Sequence, residues 1–165
     1  MKKWLSITLI VALLASAGVY TVTLPTHTNT ANYKSQAVTI TSEELLKLIN
    51  EERSRVNVPP LAIDPLLESS AQRKANEMVV NNNTEHLGKD GIRGAQYANQ
   101  TGIMCKTVSE NIISNNDRTQ VKTAKEAVDG WMSSDSHRAA LLDPKYTSTG
   151  FGINRWAVTE HFCEK

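Results

Sequence analysis

From Thr41 onward the apolar positions fall first into helical stripes and then into short alternating runs. Thr41, followed three residues later by Glu44, forms a capping box and predicts a helix start. Leu45, Leu46, Leu48, Ile49 and Val56 put most of the apolar surface on one face, leaving Glu51, Glu52, Arg53 and Arg55 mostly to solvent. Pro59-Pro60 ends this element. Asp64-Pro65 predicts a second helix, with Asp accepting at the cap and Pro at the first helical position. Its stripe is Leu67, Ala71, Ala75, Met78 and Val79, and Asn81-Asn82-Asn83 stops it.

The glycine-rich stretch over 88–102 predicts a loop with a turn or two of helix. Residues 103–113 are expected to hold a strand. Val121, Ala124, Ala127, Val128 and Trp131 keep helical spacing over 119–133, and a short helix is expected over 136–142. After Asp143-Pro144, residues 149–153 and 156–162 read as two strands joined at Asn154-Arg155.

The first residues have a different pattern. Lys2 and Lys3 precede an apolar run from Trp4 to Leu14, and Ala15-Ser16-Ala17 then supplies small residues for cleavage. Residues 1–17 are therefore expected to be a signal peptide, or an N-terminal membrane anchor if the run continues through Val22 or Leu24 and is retained. No Cys follows the run to carry a lipoprotein anchor. Residues 18–40 read as a polar linker, with His27 a solvated side chain in it, and 41–165 as the folded domain.

Composition narrows the choice. The 165 residues suffice for one domain, and 40% hydrophobic with 21% charged residues is globular. Without Lys2 and Lys3 the 18 basic side chains fall to 16, against 17 acidic, with no basic cluster to neutralise phosphates, so nucleic acid is not an expected partner. Two cysteines in an exported chain predict a Cys105–Cys163 disulfide; two unpaired core cysteines or a reactive thiol are the alternatives.

The order of residues resembles the CAP superfamily of SCP-like extracellular proteins, in its bacterial form. Asn50, Arg53, Leu61, Asp64, Ala71, Ala75 and His86 match its first half. Ser109-Glu110-Asn111-Ile112, Trp131-Met132-Ser133-Ser134, His137-Arg138 and Gly150-Phe151-Gly152 match its second half, so the likeness covers roughly residues 42–163. The resemblance implies an α/β fold: a three-layer α-β-α sandwich around a small, mainly antiparallel sheet, with a cleft on one side. It also implies that His86, Glu110 and His137 meet in that cleft. The family's fourth cleft residue is unassigned: Glu126, Glu160 and His161 are present, but none falls in a matching motif.

Neutral imidazoles suit zinc or another divalent metal, so His86 and His137 are candidate ligands beside Glu110. The alternative is a hydrogen-bonded polar network that holds the loops together. Ser133, Asp135 and His137 contain the residue types of a hydrolase triad, but neighbours along one turn point apart, and these residues are expected to end one helix and cap the next. Trp131 and Trp156 are expected in the core. Asn82-Asn83-Thr84 and Asn99-Gln100-Thr101 match glycosylation acceptors, relevant only in a eukaryotic secretory host. The expected function is a secreted or surface-tethered binding module for a lipid, cell-wall glycan or protein, monomeric, meeting membrane only through its N-terminal segment. The rivals are a metal-dependent hydrolase of peptide or cell-wall bonds and a structural surface protein.

Overall fold

Both long helices start at the residues that predicted them. A computed structural model describes residues 40–114, 121 and 123–165. The expected leader, residues 18–39 of the linker, and positions 119, 120 and 122 of the third helix lie outside the described residues. Thr41 caps α1 (Ser42–Arg55) by accepting from Glu44 N, and Asp64 caps α2 (Pro65–Asn81) by accepting from Leu66 N. Asn82 ends α2 at φ 53, the left-handed conformation that asparagine tolerates. Ile40, placed in the linker by its polar surroundings, is instead buried in the core.

A two-residue strand, β1 (Ala62–Ile63), separates the helices and was too short to show any alternation. A 3-10 segment, Gly94–Gln100, occupies the glycine-rich loop. The strand expected over 103–113 begins later, as β2 (Thr107–Ser114), because Cys105 is tied by its disulfide to Cys163, beside the start of β2, and Met104 is exposed. The third helix also begins later, as α3 (Ala124–Ser133): Thr123 accepts from Glu126 N, so Val121 precedes the cap although it is buried. α4 (Asp135–Leu141), β3 (Ser148–Asn154) and β4 (Ala157–Glu164) follow.

The sheet order is β1-β3-β4-β2, with β1 parallel to β3 and the other pairs antiparallel. Along β4, Val158 and Phe162 face Leu45 and Ile49 of α1 and Trp131 of α3. His161 and Thr159 face the other way, where Thr159 Oγ1 donates to Ala71 O of α2. Helices thus cover both faces of the sheet, giving the α-β-α sandwich. Cys105 and Cys163 form the expected disulfide across 58 residues, a bridge that contributes roughly 4 kcal/mol if loop entropy sets its worth.

Two charged side chains depart from the amphipathic reading. Arg53, expected in solvent, is fully buried and donates to the carbonyls of Pro59, Leu141, Asp143 and Tyr146 at 2.7 to 3.2 Å. Glu160 is fully buried on the α1/α3 face, where Thr149 Oγ1 donates to its Oε1 at 2.9 Å and Oε2 has no partner.

Burial pushes the Glu160 carboxyl well above its ordinary value, against the lowering influence of the Thr149 hydrogen bond and the Arg53 charge. A raised folded pKa contributes stability that is complete below the unfolded value near 4.5 and is lost as pH rises through the folded value. Glu160→Gln, which keeps the shape without the titration, is therefore expected to gain stability relative to the parent between pH 4 and pH 8. Urea unfolding at both pH values reads this gain, and an equal difference at both would contradict it.

Candidate functional site

His86 sits in the loop after α2, held from both sides. Lys74, fully buried on α2, donates to Glu77 Oε2 at 2.8 Å and to Glu85 O at 2.7 Å, so an ion pair shielded from water grips the residue before His86. Asn83 Nδ2 donates to both Glu77 oxygens and to Leu87 O. The carbonyl of His86 accepts from Gly94 N at 2.8 Å, and Leu87 bridges to Arg93. These bonds satisfy the loop's buried polar groups and fix the position of the ring.

Glu110 reaches the same place from β2. Its Oε1 lies 2.7 Å from His86 Nδ1, and its Oε2 lies 2.8 Å from His161 Nε2. Glu110 and His161 are direct cross-strand partners on β2 and β4, so the sheet register itself aims one at the other. Ser70 Oγ of α2 lies 2.7 Å from His161 Nδ1 and extends the line inward. Gly94 makes room, since a Cβ there would overlap the Glu110 carboxyl group. His137 comes from α4, whose backbone is tied to β2 by Asn111 Nδ2 donating to His137 O at 3.1 Å. Its ring lies 6.5 Å from that of His86, tilted by 55°.

The structure therefore brings His86, Glu110 and His137 together and adds His161 and Ser70. Glu160 and Glu126 are not at the site. Glu160 pairs with Asn111, one position out of step with Glu110, and so faces the opposite layer, while Glu126 lies in the first turn of α3. Sequence reasoning named His161 but could not connect it to Glu110, which is 51 positions away. Lys74 and Ser70 carried no sequence signal beyond a polar residue beside an apolar stripe.

Burial acts to raise the Glu110 pKa, but the hydrogen bonds from His161 and His86 and their charges outweigh it and hold the carboxyl below its ordinary value. His137 is lowered, first by burial and then by the neighbouring His86. Glu110 is thus a carboxylate with both oxygens engaged, and His137 favours its neutral form.

Zinc or another divalent metal finds a poor donor set here. Catalytic zinc takes three protein ligands, and among the described residues no three His, Cys, Asp or Glu side chains converge to hold an ion. His86 and His137 offer two rings, one donor short of the three that a catalytic zinc site takes. The line Ser70–His161–Glu110 has the residue types of a hydrolytic triad, but Ser70 and His161 are buried, and a nucleophile must meet its substrate. The Ser133–His137 run ends α3 and starts α4: Ser133 Oγ donates to Gly130 O, and Ser134 precedes α4. Trp131 and Trp156 are buried in the core.

Two cavities flank His86. One, of about 300 Å³, is lined by His86, Arg93, Ala95, Val108, Ser109 and Glu110. The other, of about 390 Å³, is lined by residues that include Glu85, His86, Ile112, Ser114 and His137.

Comparison with known proteins supports the resemblance read from the motifs. Residues 46–161 match the family model described as CAP, the cysteine-rich secretory protein family. The protein YkwD of Bacillus subtilis is 32% identical over 125 residues, covering 76% of this chain and 47% of that protein. The chain thus spans about half the length of this relative, and 35% of the B. subtilis membrane protein YlbC, which is 27% identical. Among solved structures, an extracellular protein containing an SCP domain from Bacillus anthracis aligns with a TM-score of 0.67 and 26% identity, over 74% of this chain and 40% of that one. An outer surface protein from Borrelia burgdorferi aligns at TM-score 0.65 and 22% identity, over 74% of this chain and 91% of that one, a likeness of fold.

Proposed function

Because the chain belongs to the CAP, cysteine-rich secretory protein, family in its bacterial form, we propose that it is an extracellular binding module, secreted or tethered through its N-terminal segment. Its cleft around His86, Glu110 and His137 takes a lipid, cell-wall glycan or protein ligand. The carrying observation is that both Glu110 oxygens are engaged by His86 and His161, the second of these fully buried. A carboxylate bonded through both oxygens and held below its ordinary pKa keeps a recognition surface in shape and is a weak base for activating water. The extracellular setting is supported by the disulfide and by the B. anthracis relative, which is described as extracellular.

The test is NMR of the full chain on addition of muropeptides, phosphatidylglycerol vesicles or a pool of short peptides. At least one probe is expected to move the His86 and His137 signals and the amides of Val108, Ser109 and Ile112 without being cleaved, and the triple variant His86→Ala, Glu110→Gln, His137→Ala is expected to lose the amide response. Hydrolysis of any probe that disappears in the triple variant would overturn the proposal.

A further inference from the structure

The two cavities beside His86 lie along one strand. The first touches Val108, Ser109 and Glu110, the second Ile112, Ile113 and Ser114, and His86 lines both. That strand, β2, is the last in the sheet, so one side of its backbone has no strand partner among the described residues. An edge of this kind presents unpaired N–H and C=O groups to any extended chain laid beside it. The groove is also charged differently at its two ends. Exposed Arg93 lines the end beside 108–110, and exposed Glu85 lines the end beside 112–114. Neither forms an ion pair among the described residues.

We infer that the groove binds a short peptide with free termini, added to β2 as an antiparallel strand. This rests on the proposed role of the cleft in binding and names its ligand class. Polarity follows from the charges. β2 runs from the Arg93 end to the Glu85 end, so an antiparallel peptide begins beside Glu85 and finishes beside Arg93. Its α-ammonium then meets the Glu85 carboxylate, and its α-carboxylate meets the Arg93 guanidinium, which binds carboxylates in a two-pronged fashion. A parallel peptide would place like charges together at both ends. At about 3.3 Å per residue, the distance from Val108 to Ser114 suits a peptide of about six residues. Backbone pairing supplies a contact independent of side-chain identity, while Ile112 and Ile113 offer apolar surface near the ligand's amino end.

The experiment uses the ¹⁵N-labelled full chain and a pool of hexapeptides with Ala, Ser, Thr, Val or Ile at each position. The pool is prepared in three forms: free at both ends, N-acetylated, and C-amidated. The free pool is expected to shift the amide signals of residues 108–114 and to slow their exchange with solvent. Blocking either end is expected to weaken apparent binding about tenfold. Glu85→Gln should abolish the penalty for acetylation alone, and Arg93→Gln the penalty for amidation alone; both residues are exposed, so the fold is not at stake. Absence of a β2 response, or indifference to both blocked ends, overturns the inference. So does the reverse assignment, with Arg93→Gln erasing the acetylation penalty. If muropeptides or vesicles move His86 and His137 while peptides do not, only the peptide inference falls; if no probe moves them, the binding role of the cleft falls with it.

Discussion

Gly152→Ala is expected to lower stability by about 3 kcal/mol, seen as a fall in Tm of about 10 °C. Helix α2 lies directly on β3, with no side chain between them at two points. A Cβ at Gly152 would come closer than 3.0 Å to the carbonyl group of Ala71 and to Gln72 N, and one at Gly150 would do the same to Glu68 N and to Leu67. These are backbone atoms of a helix, so they cannot rotate away as the tip of a flexible side chain can. Relief requires α2 to lift from the sheet, which would part Thr159 Oγ1 from Ala71 O and His161 from Ser70. The control is Gly91→Ala. That glycine has φ 79, but a Cβ added to it would meet nothing within 4 Å, so the cost there is conformational alone, about 1 kcal/mol. Equal melting temperatures for the Gly152 and Gly91 variants would show that α2 is not seated as closely as described.

The same close approach marks what a sequence can and cannot convey. Local signals were legible: Thr41, Asp64 and Asn82 set helix ends within a few residues of themselves, and a side chain that bonds its own neighbours leaves its trace in spacing. Thr123 and Glu126 carry the same capping spacing as Thr41 and Glu44 and mark the observed start of α3. Long-range partners left no such trace. Three of the four carbonyls that Arg53 bonds lie 88 to 93 positions away, so helical spacing does not separate it from Arg55, which lies in solvent, and only its place in the family pattern does. Of the site, His86, Glu110 and His137 were legible because family motifs mark them. The bond of Glu110 to His161 depends on how β2 registers against β4, and register is a property of the assembled sheet.

Arg53→Met is expected to cost about 3–5 kcal/mol, because it removes a buried donor and strands its acceptors together. The guanidinium nitrogens of Arg53 reach four backbone carbonyls: Pro59 after α1, Leu141 at the end of α4, Asp143 beyond it, and Tyr146 before β3. Burial lowers the pKa of the group, while the nearby Glu160 and Asp143 carboxyls favour its charge. Methionine fills comparable volume but offers these oxygens nothing. Arg53→Lys should recover less than half of the loss, since one ammonium cannot span the fan of acceptors that the planar fork reaches. The consequence extends to the cleft, because α4 carries His137 and Arg53 anchors its last carbonyl. Urea unfolding reads the stability, and NMR of the His137 ring in the folded fraction reads the loosening. A lysine variant as stable as the parent would mean that the charge alone matters here and the geometry of the donors does not.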